Sequence, residues 1–241
     1  NEELETAVQN AINYSRSNNA IIEEFISGRE LTIDAFVQDG KAEVLCISEL
    51  NKIKNSSSFV IFRSVNPAQI SSVILIKIKD SVQKIVNAFG LKNCPLLVQL
   101  ICRGDDISIV EFSARTGGGL KYQLIEQAVG ADIIDATIDI SVGKKANLRI
   151  KPTEQFIVNE YLYCKAGIFD HLEGFKELEA DKVISNYFVF KDPGTKMNGA
   201  NCSGDRIASF TIVDTDPECL KKRHAKALSC IKAISTDGKD I

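Results

Sequence analysis

Leu4, Val8, Ala11 and Ile12 recur at helical spacing between residues 2 and 15, with polar residues between them. That periodicity predicts an amphipathic helix, which Ser17-Asn18-Asn19 breaks. The apolar run Ile21 to Ile26 reads as a strand. After Gly28, the β-rich stretch Leu31 to Val37 leads to Gln38-Asp39-Gly40-Lys41, a hairpin signal, and Ala42 to Ile47 is the return strand. Lys52 to Ser58 is polar and reads as a loop, and Phe59 to Phe62 as one more strand. Pro67 precedes a second helical pattern in which Ile78, Val82, Ile85, Val86 and Phe89 share a face and Gly90 is placed as a C-cap. Leu96 to Cys102 and Ile107 to Phe112 form a pair of apolar strands around Arg103-Gly104-Asp105-Asp106.

Gly117-Gly118-Gly119 comes next, then helical stretches at 120–128 and 132–142, closed by Gly143. Polar, basic Lys144 to Lys151 and Pro152 suggest a boundary near 150. Beyond it the pattern predicts strands at 155–163, 183–191 and 206–213. A last helix opens at Asp216-Pro217-Glu218, where Asp is a good N-cap and proline is tolerated at the first helical position. The expected organisation is therefore residues 1–150 and a small α+β unit, 151–241, without internal repeats.

Composition narrows the function classes. The 241 residues are 44% hydrophobic and 25% charged, enough for a core without disulfides or a structural metal. The net charge of −3 makes nucleic acid and acidic membranes poor partners, and no apolar run is long enough to span a bilayer. The seven cysteines include no Cys-x-x-Cys pair, which points to reduced thiols and a cytoplasmic location. His171 and His224 lie far apart without ligand-like company, so neither a zinc site nor a histidine triad is indicated. The opening Asn-Glu-Glu-Leu suggests an excised fragment.

Two segments could carry chemistry. In Ile21-Ile22-Glu23-Glu24-Phe25-Ile26-Ser27-Gly28-Arg29-Glu30-Leu31-Thr32-Ile33-Asp34, four acids gather at the junction of two strands, where a glycine lets the backbone bend. The simplest reading is a hairpin with solvated acids. The second is an edge whose free N–H and C=O groups pair with a purine, with a carboxylate accepting from ribose hydroxyls. In the other segment Gln99 can face Glu111 across a hairpin, and Glu111, Ser113 and Arg115 alternate onto one side. Glu111 reads as a carboxylate inside an apolar strand, in need of a partner. Either it pairs with Arg115 beside a flexible loop, or it holds magnesium while Arg115 clamps a phosphoryl group and the glycines let backbone N–H groups approach an anion.

Together the segments resemble the ATP-grasp family. The first is similar to its hinge, hydrophobic-Glu-Glu-Phe-x-x-Gly-x-Glu, and the second to its metal-binding hairpin, an acid, eleven residues, then Glu-x-Asn-x-Arg. The resemblance covers roughly 1–143, while 151–241 is similar to the small C-terminal domain of amino-acid ligases. It implies an α+β fold: the C-terminal half of an ATP-grasp domain, with an antiparallel sheet and packed helices, truncated at its N-terminus and followed by the small domain. It also implies ATP with Mg2+, or Mn2+ in its place. By the same resemblance Glu23, Glu24 and Phe25 would hold adenine, Glu30 ribose, Lys52 and Arg63 phosphate or substrate, and Gln99, Glu111 and Ser113 the metal. Arg115 would be catalytic, and Thr116, Gly117, Gly118 and Gly119 would bind substrate.

The departures from the pattern are Gln99 for an acid, Ser113 for asparagine, and the absence of upstream phosphate-binding lysines and a glycine-rich loop. The implied activity is ATP-dependent joining of a carboxylate, such as an amino acid, to an amine through an acyl phosphate. The partners would be those small molecules and a preceding part of the same chain, with a homodimer also compatible; the isolated fragment is expected to be inactive. Two other readings stand beside it. One is a carbamoyl-phosphate-synthase-like or biotin-carboxylase-like module that phosphorylates bicarbonate, although Lys196-Met197 is poorly placed for biotin attachment. The other is a non-catalytic nucleotide-binding module, which Gln99 favours.

Overall fold

The Asp39-Gly40 pair fits a two-residue hairpin because both residues take positive φ, 51° and 78°, matching the twist of the flanking strands. In the computed structural model, which describes residues 2–53 and 59–241, helix α1 (Glu2–Tyr14) precedes the strands β1 (Arg29–Gln38) and β2 (Lys41–Lys52) that this turn joins. Strand β3 (Ile61–Asn66), helix α2 (Ser72–Phe89), strands β4 (Cys94–Arg103) and β5 (Asp106–Ser113), and helices α3 (Lys121–Val129) and α4 (Ile133–Ser141) follow. The remainder is β6 (Phe156–Leu162), β7 (Gly167–Glu173), α5 (Phe175–Ala180), β8 (Asn186–Val189), β9 (Lys196–Met197), β10 (Ala208–Asp214), α6 (Pro217–Cys230) and β11 (Lys232–Ser235).

Among the described residues the strands form an eight-stranded sheet ordered β5-β4-β1-β2-β3-β6-β10-β8 and a small sheet ordered β11-β7-β9, with antiparallel pairing throughout. This is the expected α+β architecture. The sheet runs through the boundary expected near 150, because β3 pairs with β6. The apolar clusters still divide. One lies between α2 and the β1–β4 region, one under α3 and α4, and one within the C-terminal part around Phe169, Phe175 and Phe210.

Alternation sorts the large sheet into two faces. Leu31, Ile33, Val98 and Leu100 pack on the buried stripe Ile74, Ile78, Val82 and Val86 of α2. Ser71 caps that helix by accepting from the Ile74 amide at 3.3 Å, and Gly90 ends it in the left-handed region. The opposite face carries Thr32, Asp34, Gln99 and Ser64, partly covered by α3 and the glycine loop. Asp216 caps α6 as expected, accepting from the Glu218 amide at 2.9 Å.

Ile21 to Ile26 is not a strand. Both neighbours of β1 are taken, by β2 and β4, and a side chain at Gly28 would lie 2.6 Å from the Cys102 carbonyl oxygen. The chain leaves the sheet there, and Ile21 and Phe25 are 87% and 75% exposed. The pattern also missed β7, α5 and β11. Of the strand expected over 183–191 only β8 forms, since Val183 and Ile184 are buried in the core instead.

Candidate functional site

Cross-strand register builds the site. Thr32 of β1 lies opposite Gln99 of β4, and Gln99 opposite Glu111 of β5. Glu30, two residues before Thr32, shares their face. Standard strand spacings put its Cα roughly 12 Å from that of Glu111. The 23–30 bend and the Gln99–Glu111 pair thus belong to one end of one face. Ser113 follows Glu111 on the same side.

Glu111 is exposed rather than interior. Strand β5 is the edge of the sheet, and among the described residues its side chain at 111 stays open to solvent. The carboxylate has no ion pair or hydrogen bond among the described residues, and it does not pair with Arg115. Arg115 is exposed and donates from Nη1 to the Thr116 carbonyl at 2.9 Å.

A cavity of about 910 Å³ opens beside this face, walled by Phe25, Gly28, Glu30, Leu50, Lys52 and Phe59. The Phe25 and Phe59 rings are 6.2 Å apart, and the Lys52 ammonium lies 5.0 Å above the Phe59 ring and forms an ion pair with Glu30. Glu23 and Glu24 are exposed on the preceding segment. Most of the polar loop expected at Lys52 to Ser58 lies outside the described residues; Lys52 itself closes β2. Arg63 reaches the cavity wall, but its guanidinium is held by Glu160 at 2.6 Å, and Glu160 also meets His224 Nε2 at 3.0 Å. His224 therefore has a partner that its sequence neighbourhood does not reveal.

The glycine loop is set by close packing. A Cβ on Gly117 would sit 2.8 Å from Asp34 Oδ1, and one on Gly119 (φ 67°) would run into the Tyr161 hydroxyl. That hydroxyl donates to the Gly119 carbonyl at 2.7 Å. Gly118 alone faces open space. Thr116 is half-buried between Arg115 and the first glycine.

Beneath the loop Lys121 and Asp34 are both buried, Nζ to Oδ2 3.6 Å, and the ammonium donates to Ser64 Oγ at 3.2 Å. Burial holds the Asp34 carboxyl above the usual range against the pull of Lys121, and it pushes the Tyr161 phenol up to about 12. Sequence reasoning missed Lys121, Glu160 and Tyr161; Asp34 stood among the four acids of the 21–34 segment, but without a role or a partner.

An ATP-grasp domain family matches residues 1–123, just over half of the chain. The chain belongs to the ATP-grasp family. It is 25% identical over 171 residues to human mitochondrial carbamoyl-phosphate synthase [ammonia], covering 70% of this chain and 11% of that protein. The L-amino acid ligase of Bacillus licheniformis superposes with a TM-score of 0.82 at 19% identity, covering 98% of this chain and 59% of that one. The biotin carboxylase domain of Hydrogenobacter thermophilus 2-oxoglutarate carboxylase, solved with MgADP and bicarbonate, gives 0.73 at 14% identity, covering 99% and 54%. The chain thus spans about a tenth of the carbamoyl-phosphate synthase and under two thirds of the two solved chains.

Among the described residues no helix is long and apolar enough to cross a membrane, all seven cysteines are free, and no three His, Cys, Asp or Glu side chains cluster as a metal site. The donors available to a divalent ion here are therefore the Glu111 carboxylate, the Gln99 carboxamide and the Ser113 hydroxyl. These hard oxygens fit magnesium, which commonly takes one or two protein carboxylates together with substrate phosphates.

Proposed function

We propose that the chain is part of an ATP-dependent ligase that converts a carboxylate, such as an amino acid, to an acyl phosphate and passes it to an amine. The observation that carries this reading is the shared face: a carboxylate at 111 and a guanidinium at 115, neither in an ion pair among the described residues, stand on a sheet that opens a 910 Å³ cavity beside Glu30. Adenine would lie against Phe25 and the backbone of 23–26, and Glu30 would accept from the ribose once it exchanges Lys52 for the nucleotide. Lys52, released from Glu30, would then face phosphate. Glu111, Gln99 and Ser113 would hold magnesium, which when bound neutralises charge on the phosphoryl oxygens. Arg115 would clamp the transferring group with its planar fork of donors.

The match to carbamoyl-phosphate synthases favours a second reading, in which the activated acid is bicarbonate. One screen separates the two. Phosphate release and hydroxamate formation are measured with the intact protein, ATP and Mg2+ across the amino acids, other small carboxylates and bicarbonate. The ligase reading expects hydroxamate from at least one organic acid. Phosphate release with bicarbonate alone would favour the second reading, and ATP binding without turnover of any acid would refute both.

A further inference from the structure

Arg206 is the least expected cation on this face. It precedes β10, and its guanidinium carbon lies 3.9 Å from the centre of the Tyr161 ring. Its Nε donates to the Tyr163 hydroxyl at 3.0 Å. Its two Nη groups meet no acceptor among the described residues, and it forms no ion pair there, unlike Arg29, Arg63 and Arg223. The two tyrosines fix its place. Tyr161 holds the Gly119 carbonyl of the glycine loop, and Tyr163 donates to the Ile61 carbonyl at the start of β3 at 2.9 Å. Tyr161 lies near the end of β6 and Tyr163 just beyond it, with Asn159 two residues before Tyr161 on the same side, and Asn159 is in register with Ser64 of the Lys121 and Asp34 cluster.

A second observation points the same way. Asn159 Nδ2 and Ser209 Oγ, on this face next to Tyr161, are buried without hydrogen-bond partners, and each residue is only 2% exposed. Buried donors left unsatisfied are costly, so two of them flanking the tyrosine on which Arg206 stacks are a feature to be explained. A stacked arginine is pre-oriented to take a planar anion with two parallel bonds.

We infer that Arg206 reads a carboxylate carried by the amine substrate, so that the acceptor is itself an amino acid rather than ammonia or a simple amine. This rests on the ligase reading above and deepens it. Arg115 and Arg206 stand at opposite ends of loop 115–119, whose four residue steps reach at most about 14 Å when extended. The activated acid lies at the Arg115 end, and the acceptor's carboxylate at the Arg206 end. The acceptor's amine then points at the acyl carbon between them. The amine attacks that carbon, phosphate leaves with the bonding pair, and the amine loses its proton to solvent.

The test uses the intact protein with whichever acid the hydroxamate screen identifies. Glycine, L-alanine and L-glutamate are each compared with the corresponding carboxamide, and hydroxylamine serves as the neutral nucleophile. Wild type is expected to use at least one amino acid well and its carboxamide poorly. R206Q should lose about 10- to 100-fold in kcat/KM for that amino acid, mostly through KM, and R206K should fall between, because it keeps the charge but not the fork. Hydroxamate formation should stay within twofold in both variants, which shows that the fold and the activating half are intact. Equal use of acid and amide by wild type, or an R206Q loss that also strikes hydroxamate formation, overturns the inference. No hydroxamate from wild type with any acid would instead overturn the ligase reading, and this inference with it.

Discussion

Lys121→Met tests the buried ion pair under the glycine loop. Asp34 and Lys121 are only 2% and 4% exposed, and their charged atoms lie 3.6 Å apart. At an effective dielectric of about 20, two unit charges at that distance attract by about 4.6 kcal/mol. Methionine keeps much of the apolar stem but leaves the Asp34 carboxylate buried beside Gly117 with no cation. Removing one partner of a buried pair costs about 3–5 kcal/mol, so a loss of that size is expected at pH 7.

The pH dependence carries the sign. Burial already raises the folded-state pKa of Asp34, and Lys121 opposes that rise. Without Lys121 the carboxyl titrates higher still. Between the folded pKa of Asp34 in wild type, already above the usual range, and its higher folded pKa in the variant, the variant loses stability relative to wild type as pH rises, by up to about 1.4 kcal/mol per pH unit, until Asp34 ionises. Urea unfolding of both proteins at pH 5, 6 and 7 measures this. The gap should widen with pH, and Asp34→Leu combined with Lys121→Met should recover much of the loss. A deficit below about 1 kcal/mol that ignores pH would refute a buried, coupled pair.

Tyr161→Phe removes the hydrogen bond to the Gly119 carbonyl and should cost about 1–2 kcal/mol in the same assay; an unchanged midpoint would mean that the loop is not held there. Asp214 accepts from the Asp216 amide and from Arg223, and these bonds hold its carboxyl at about 2. Its folded pKa lies below the unfolded value, so its contribution is present above about pH 4 and fades as pH falls through about 2. Thermal midpoints between pH 5 and 2 should therefore fall less steeply in Asp214→Asn than in wild type, and parallel curves would contradict this.

What the sequence made legible was whatever depends on local pattern. The Asp39-Gly40 turn, the α2 stripe from Ile78 to Val86, the Asp216 cap and the Gln99–Glu111 register all follow from spacing and turn chemistry and lie where expected, whereas Phe89 at the end of that stripe is 65% exposed. Ile21 to Ile26 misled because an apolar run carries no information about whether a neighbouring strand is free to pair. Glu111 was expected to be interior because its flanking residues are apolar, but an edge strand can expose one face whatever its neighbours are. The Gly-Gly-Gly tract suggested amides open to an anion, and its spacing could not show that a side chain at Gly117 or Gly119 would also run into Asp34 or Tyr161. The meetings of Glu160 with Arg63 and with His224, and of Arg206 with Tyr161, join residues 45 to 97 positions apart, and no sequence period records such contacts.

The central claim is that the side chain at 111 meets a divalent cation beside a nucleotide, and Mn2+ binding followed by electron paramagnetic resonance in the presence of ATP tests it most directly. Wild type should sequester Mn2+ together with ATP, and Glu111→Gln should weaken that binding at least about tenfold. Gln99→Glu, which adds a second charged oxygen donor opposite it, should strengthen the binding. Unchanged Mn2+ affinity in Glu111→Gln would contradict the account.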